Sequence, residues 1–381
     1  MNRVIPSAAR NLVETGSLVA AVLGMTLAAC TSPSEPPAAE ARAQAVAAAC
    51  GTLQHQRFEA EGLPARDYYV YVPCGLSGPA PLVVYLHGCT QTGTDGAVQT
   101  RWPQLADTHG LIAVFPEQFD PNSEDPGAQQ VQDHLFNGNG SRCWNFFRPE
   151  DFARGAGEAG TIAGIAQRVI AQHAVDPARV YVMGISAGGA MAGVMAATYP
   201  DLYAAAAILA GTPYAGDASG ALAVQAMGER AHPMPVMAVM GTADELVVFP
   251  VGISTVQQWL GTNDLIDDGA ANGSVSRMPA SSEDHGVDES ALAGLGTAGD
   301  TCVGNRQGSP CPGGVLGFEH SYPYTIEHYV DAAGAPLLDF WIIHGLMHNY
   351  VGGDPSVPFS DPLGPDVTRA AYDFFMAHPR R

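Results

Sequence analysis

Ser186 sits in Gly184-Ile185-Ser186-Ala187-Gly188, with glycine two residues away on either side. An apolar run, Val180-Tyr181-Val182-Met183, precedes it. A helical pattern from Ala187 to Tyr199 follows and stops at Pro200. A strand turning directly into a helix crowds the positions two before and two after the turn, and glycine at both relieves the clash. The turn lifts the serine hydroxyl to the carboxyl edge of a sheet, at a helix N-terminus. Such a hydroxyl is a weak nucleophile at neutral pH; it needs a base, and the base needs an orienting acid. The chemistry is acyl transfer through serine. The bland alternative is a small-residue turn with an idle serine.

The acid is expected at Asp244, which follows the apolar run Val236-Met237-Ala238-Val239-Met240 through Gly241-Thr242-Ala243. Its neighbour Glu245 competes and reads as a solvated side chain. Three histidines compete for the base: His320, His344 and His348. His344 ends a strand-like run and reads as a packed histidine. His348 lies four residues on, in a loop from which a ring can reach back over the serine, and is the expected base. The tetrahedral intermediate needs two donors. The Ala187 N–H is one. The second is expected at the Cys89 N–H, in His87-Gly88-Cys89-Thr90-Gln91 after the apolar run Leu82 to Leu86. His87 is expected to be a structural hydrogen-bonding residue.

These positions imply the elements that carry them. Continuous apolar runs at Leu82 to Leu86, Leu111 to Phe115, Val180 to Met183, Ala204 to Leu209, Val236 to Met240 and Phe340 to Ile343 suit strands covered on both faces. Tyr68 to Val72 reads as an earlier strand, and Thr325 to Val330 with Leu337 to Ile343 as a hairpin. Helical patterns run from Gly160 to His173 and from Val367 to Ala377. Alternating strands and helices predict an α/β class with a mostly parallel central sheet and helices on both faces. The order Ser, Asp, His matches the α/β-hydrolase fold. The polar, glycine-rich stretch 267–314 is expected to be a surface insertion in a catalytic domain spanning 50–381.

The motifs His87-Gly88-Cys89-Thr90-Gln91, Cys143-Trp144-Asn145-Phe146-Phe147, Gly184 to Met191 and Gly241-Thr242-Ala243-Asp244 together resemble the polyhydroxybutyrate-depolymerase-like esterases, which adjoin feruloyl and acetylxylan esterases. The resemblance runs from about Tyr68 to Phe375. It implies an ester-cleaving triad on Ser186, Asp244 and His348, with no metal or other cofactor. It also implies a Cys89–Cys143 disulfide beside the active site. Around the base the family pattern is Gly-His-Ala-Trp-x-Gly-Gly, where this chain has Met347-His348-Asn349-Tyr350-Val351-Gly352-Gly353. Trp144, Phe146, Phe147 and Tyr350 are expected to line the acyl site.

Composition bounds the rest. With 17 Lys+Arg against 38 Asp+Glu, the net charge is −21, which repels nucleic acid and anionic membrane surfaces. Lysine is absent. That excludes a Schiff-base lysine, a Ser-Lys dyad and a lysine-bearing phosphate loop. Residues 1–29 read as a lipoprotein signal peptide: Arg3 and Arg10, an apolar run from Leu18 to Leu27, then Leu27-Ala28-Ala29-Cys30. Cys30 is the expected lipidation site, and 30–49 a flexible tether. Lipid is the one expected membrane contact. Thr31, rather than aspartate, follows Cys30, which points to the cell surface or outer membrane; the alternative is an ordinary signal peptide cleaved elsewhere and a secreted protein. Six cysteines remain, and an even number in an exported chain implies disulfides. With Cys89 and Cys143 joined, Cys50–Cys74 and Cys302–Cys311 follow by elimination and nearness in sequence.

The expected substrates are short hydroxybutyrate oligomers or polyester, or alternatively feruloyl or acetyl esters on plant polysaccharide. The chain is expected to lack a separate polymer-binding module and so to prefer soluble oligomers to crystalline polymer. A peptidase of the same fold would ordinarily carry a gating domain, and none fits. The rival from another class is a non-catalytic surface binding protein on a hydrolase scaffold. The complete triad and oxyanion loop speak against it.

Overall fold

The computed structural model describes residues 50–119, 141–286 and 322–380. The leader, Cys30, the tether, His320, Cys302 and Cys311 lie outside the described residues.

A 10-stranded sheet organises the chain. Its strands are β1 (Leu53–Phe58), β2 (Arg66–Tyr71), β3 (Ala80–Leu86), β4 (Ile112–Pro116), β5 (Val175–Ile185), β6 (Ala205–Leu209), β7 (Val236–Gly241), β8 (Ser281–His285), β9 (Tyr324–Val330) and β10 (Pro336–Ile343). Their spatial order is β1-β2-β4-β3-β5-β6-β7-β10-β9-β8. Every pairing from β4 through β10 is parallel, and the outer pairings at both ends are antiparallel. The parallel strands β3, β4, β6 and β7 are buried at every residue, as continuous apolar runs covered on both faces must be. Edge strand β8, Ser281-Ser282-Glu283-Asp284-His285, is exposed throughout, and its charges protect an open edge. It falls inside the stretch expected to be a surface insertion. Part of that stretch therefore extends the sheet by pairing with β9. Its polarity and lack of alternation hid the strand.

The helices among the described residues are α1 (Gly93–Thr100), α2 (Trp102–His109), α3 (Gly157–Gln172), α4 (Ala187–Thr198), α5 (Ala221–Met227), α6 (Phe249–Asp268) and α7 (Val367–Ala377). None is long and apolar enough to cross a membrane. Helix α4 is buried along its whole length, with alanine and glycine allowing close approach to the sheet. A short parallel bridge joins β11 (Tyr350–Val351) to β12 (Ser360–Asp361) beyond the main sheet. This is an α/β-hydrolase architecture, with β5 central and the ends of β3, β7 and β10 opening on the same edge.

Candidate active site

Ser186 occupies the turn between β5 and α4. Its φ is 58° and its ψ −125°, a conformation that side-chain-bearing residues rarely adopt. Two main-chain bonds hold it there: the Ser186 N–H donates to the Leu209 carbonyl, and the Ala190 N–H donates to the Ser186 carbonyl, both at 2.9 Å. The flanking glycines are required by contact. A Cβ on Gly184 would stand 2.3 Å from the Gly188 carbonyl oxygen, and one on Gly188 would stand 2.1 Å from the Leu86 carbonyl oxygen.

One wall of the site grows from the ends of β7 and β10, which are adjacent and parallel. The loops leaving them are zipped together. The Thr242 N–H donates to the Ile343 carbonyl (3.0 Å), the Ala243 N–H to the Leu346 carbonyl (3.1 Å) and the Gly345 N–H to the Thr242 hydroxyl (2.8 Å). Asp244 is buried and spends both oxygens. Oδ1 accepts the N–H groups of Leu246 and Val247 at 2.9 Å each, and Oδ2 lies 2.7 Å from His348 Nδ1. With that nitrogen donating to Asp244, Nε2 is left as the acceptor. Glu245 is exposed. His344 bonds Thr325 at 3.0 Å instead, and burial lowers its pKa.

The opposite wall is the loop after β3. Cys89 is joined to Cys143 by a disulfide, and Cys50 to Cys74. His87 is fully buried. Its Nδ1 donates to the Gly88 carbonyl (2.7 Å), its Nε2 accepts the Gln118 N–H (3.0 Å), and its carbonyl accepts Trp144 Nε1–H (3.1 Å). Behind it lies Glu158, in the first turn of α3. It accepts from Arg66 (2.9 Å), from Gln118 Nε2 (2.5 Å), and from the Asn145 N–H (2.7 Å) and side chain (3.0 Å). Arg66 and Glu158 are both inaccessible to solvent. A buried ion pair is tolerable only when its remaining valences are met, and Gln118 and Asn145 meet them on the carboxylate.

Between the walls lies a cavity of about 490 Å³ that reaches Cys89, Ser186, Ala187 and His348. Phe146 and Phe147 line it and pack edge to face at 5.2 Å. Trp144 and Tyr350 do not, contrary to expectation. Trp144 is buried against His87, and Tyr350 is buried with its hydroxyl bonded to Thr368 at 2.6 Å. Both rings support the walls from behind. An aromatic in a motif reads alike whether it faces the cavity or the core, because only packing distinguishes the two.

Several residues of the site escaped the sequence reading. Leu246 and Val247 line the cavity just beyond Glu245 in the Asp244 loop, and Phe359 enters from the loop before β12. Adjacency to Asp244 was a usable signal for the first two; Phe359 had none. Gln91 ties the β3 loop to that same loop, accepting the Gly88 N–H (2.9 Å) and donating to the Pro358 carbonyl (2.8 Å). Glu158, Gln118 and Arg66 come from three separate elements, and no local pattern marks them.

The family model described as Esterase PHB depolymerase matches residues 66–278. Poly(3-hydroxyalkanoate) depolymerase C of Paucimonas lemoignei is 43% identical over 146 residues, covering 38% of this chain and 31% of the relative. Feruloyl esterase B of Neurospora crassa is 36% identical over 148 residues, covering 39% of this chain and 44% of the relative. Acetylxylan esterase A of Emericella nidulans is 34% identical over 147 residues, covering 38% and 42%. The chain thus spans less than half the length of these curated relatives. Among solved structures, an acetyl xylan esterase from Aspergillus awamori superposes with a TM-score of 0.55 at 19% identity, covering 85% of this chain and 99% of that one. That likeness is one of fold.

Proposed function

The chain belongs to the Esterase PHB depolymerase family, and from that premise we propose that it hydrolyses carboxylic esters through an acyl-serine intermediate. One observation carries the reading: the hydrogen-bonded Asp244–His348 pair opens into the same cavity as Ser186 on its constrained turn. His348 Nε2 takes the Ser186 proton as Oγ attacks the ester carbonyl. Asp244 keeps the ring oriented and stabilises its charged form. The oxyanion is held by the N–H groups of Cys89 and Ala187. The Ala187 group belongs to the first turn of α4 and has no intrahelical acceptor. His348 then protonates the leaving alcohol, and water repeats the cycle on the acyl-serine.

The preferred substrates are short hydroxybutyrate oligomers. Support comes from the apolar side chains of Phe146, Phe147, Leu246 and Val247 around the cavity, and from the likeness to a polyhydroxyalkanoate depolymerase. The paired rings of Phe146 and Phe147 favour a second reading, an aromatic acyl group such as ferulate. The test compares soluble hydroxybutyrate trimer, methyl ferulate and acetylated xylan, with fluorophosphonate labelling of wild type and Ser186→Ala. Turnover or labelling that survives in Ser186→Ala would sink the ester-hydrolase reading.

Export to an oxidising compartment with a lipid on Cys30 belongs to the same proposal. The paired cysteines support export, and the leader pattern supports the lipid. Cys30→Ala should release the protein from the membrane fraction.

A further inference from the structure

The N–H groups of the turn from Gly88 to Gln91 are unevenly used. Gly88 donates to Gln91 Oε1 (2.9 Å), Thr90 to the Ser141 carbonyl (2.5 Å) and Gln91 to the Gly88 carbonyl (3.3 Å). Among the described residues, the Cys89 N–H alone in this turn takes no protein acceptor. Cys89 lines the cavity, and a Cβ built on the adjacent Gly88 would lie 3.5 Å from Ser186 Cβ. The spare donor therefore belongs to a loop lying against the nucleophile.

What aims that donor is the other end of its own peptide unit. In a trans peptide the carbonyl and the N–H point in opposite directions. No peptide among the described residues is cis. The unit carrying the Cys89 N–H also carries the Gly88 carbonyl, so holding one end directs the other. Two donors hold the Gly88 oxygen, the Gln91 N–H at 3.3 Å and, more closely, the His87 Nδ1–H at 2.7 Å. The ring cannot turn over freely, because its Nε2 accepts the Gln118 N–H at 3.0 Å. That second bond also selects the tautomer with the proton on Nδ1. Burial pushes the imidazole down to about 4, so the ring stays neutral and keeps one donor and one acceptor.

We propose that His87 is a positioning residue for ester hydrolysis: its Nδ1–H anchors the Gly88 carbonyl so that the Cys89 N–H faces the oxyanion of the tetrahedral intermediate. The proposal rests on reading the site as a serine ester hydrolase. Because the oxyanion forms only on the way to the intermediate, misdirecting its donor lowers kcat and leaves KM near its original value.

Two substitutions separate the two ends of the ring. In His87→Asn the side-chain amide nitrogen stands near the place of Nδ1 and keeps the donor. In His87→Gln the longer amide reaches the Nε2 position, serves the Gln118 N–H and loses the donor. With p-nitrophenyl butyrate, His87→Gln should lose kcat by a factor on the order of 10², the scale for displacing one oxyanion donor. Its affinity for butylboronic acid, a tetrahedral mimic, should fall in step. His87→Asn should recover most of both. Thermal melts of the two variants should be alike, since each forfeits one of the two ring bonds. Equal kcat in the two variants, or a loss confined to KM, overturns the proposal. In the wild-type protein, imidazole ¹⁵N shifts should report a neutral ring protonated at Nδ1; the Nε2–H form overturns it without any variant. Fluorophosphonate labelling of the wild-type protein and its loss in Ser186→Ala test the underlying esterase reading separately, because neither measurement uses a His87 variant.

Discussion

The two walls of the cavity are built on different principles. The wall carrying Asp244 and His348 grows from neighbouring parallel strands, and short main-chain bonds zip its loops together as they leave the sheet. The wall carrying the Cys89 N–H gathers residues from 66, 87–91, 118, 143–145 and 158, fastened by a disulfide and a buried ion pair. The first wall is local to the sheet edge, and in the proposed mechanism it moves the protons. The second is assembled over long sequence distances, and in that mechanism it holds a donor still. Damage to the first should therefore appear in chemistry with little loss of stability, and damage to the second in stability together with chemistry.

The largest expected effect lies on the relay wall. Ser186→Ala and His348→Ala should each lower kcat by about four orders of magnitude or more, with melting temperatures close to wild type. His344→Ala, across the loop and bonded to Thr325, should keep most activity. An inactive His344→Ala beside an active His348→Ala would break the assignment.

The donor wall should respond in the opposite sense. Glu158→Ala leaves Arg66 charged and buried without its partner, which should cost about 3–5 kcal/mol of stability. A denaturant melt that moves by less than a tenth of that range would mean that the pair is not buried in solution. Replacing Cys89 and Cys143 together by alanine should cost about 2–4 kcal/mol. It should also lower kcat more than it raises KM. An unchanged kcat would show that His87 and Gln91 hold the loop unaided.

Asp151, whose Oδ1 accepts the Glu158 N–H at 3.2 Å, offers a finer measurement on the same wall. Burial first, and the neighbouring Glu158 second, raise its carboxyl from 3.8 to about 6. The folded state then binds a proton that the unfolded state has released. Asp151 therefore makes stability fall as pH rises from about 4 to about 6. Asp151→Asn should flatten that part of the stability profile, and an unaltered slope would refute the assignment. The smallest effect is expected at Leu246, which is 71% exposed at the cavity mouth. Leu246→Ala should shift relative KM values among hydroxybutyrate oligomers by a few-fold, with stability changed by less than about 0.5 kcal/mol.

How much of this could be read from the chain differs between the walls. Ser186, Asp244 and His348 stand just beyond apolar runs, and strand ends in a parallel sheet are visible as the points where such runs stop. The parallel core was legible for the same reason: a strand covered on both faces is apolar at every position. Edge strands β1 and β8 are polar or mixed and left no comparable trace. Trp144 and Tyr350 were placed at the cavity by residue type, and the fold turned them into the core.

By itself, then, the sequence determined the apolar runs that become the parallel core strands and the glycine-relieved turn at Ser186. Each of these depends on neighbours within a few residues. Tertiary structure alone decided which aromatics line the cavity, that Glu158 meets Arg66, Gln118 and Asn145, and that His87 bonds the Gly88 carbonyl. Those facts rest on distances across the fold. A buried polar group acquires its meaning from the partner that satisfies it, and that partner is chosen by packing rather than by nearness along the chain.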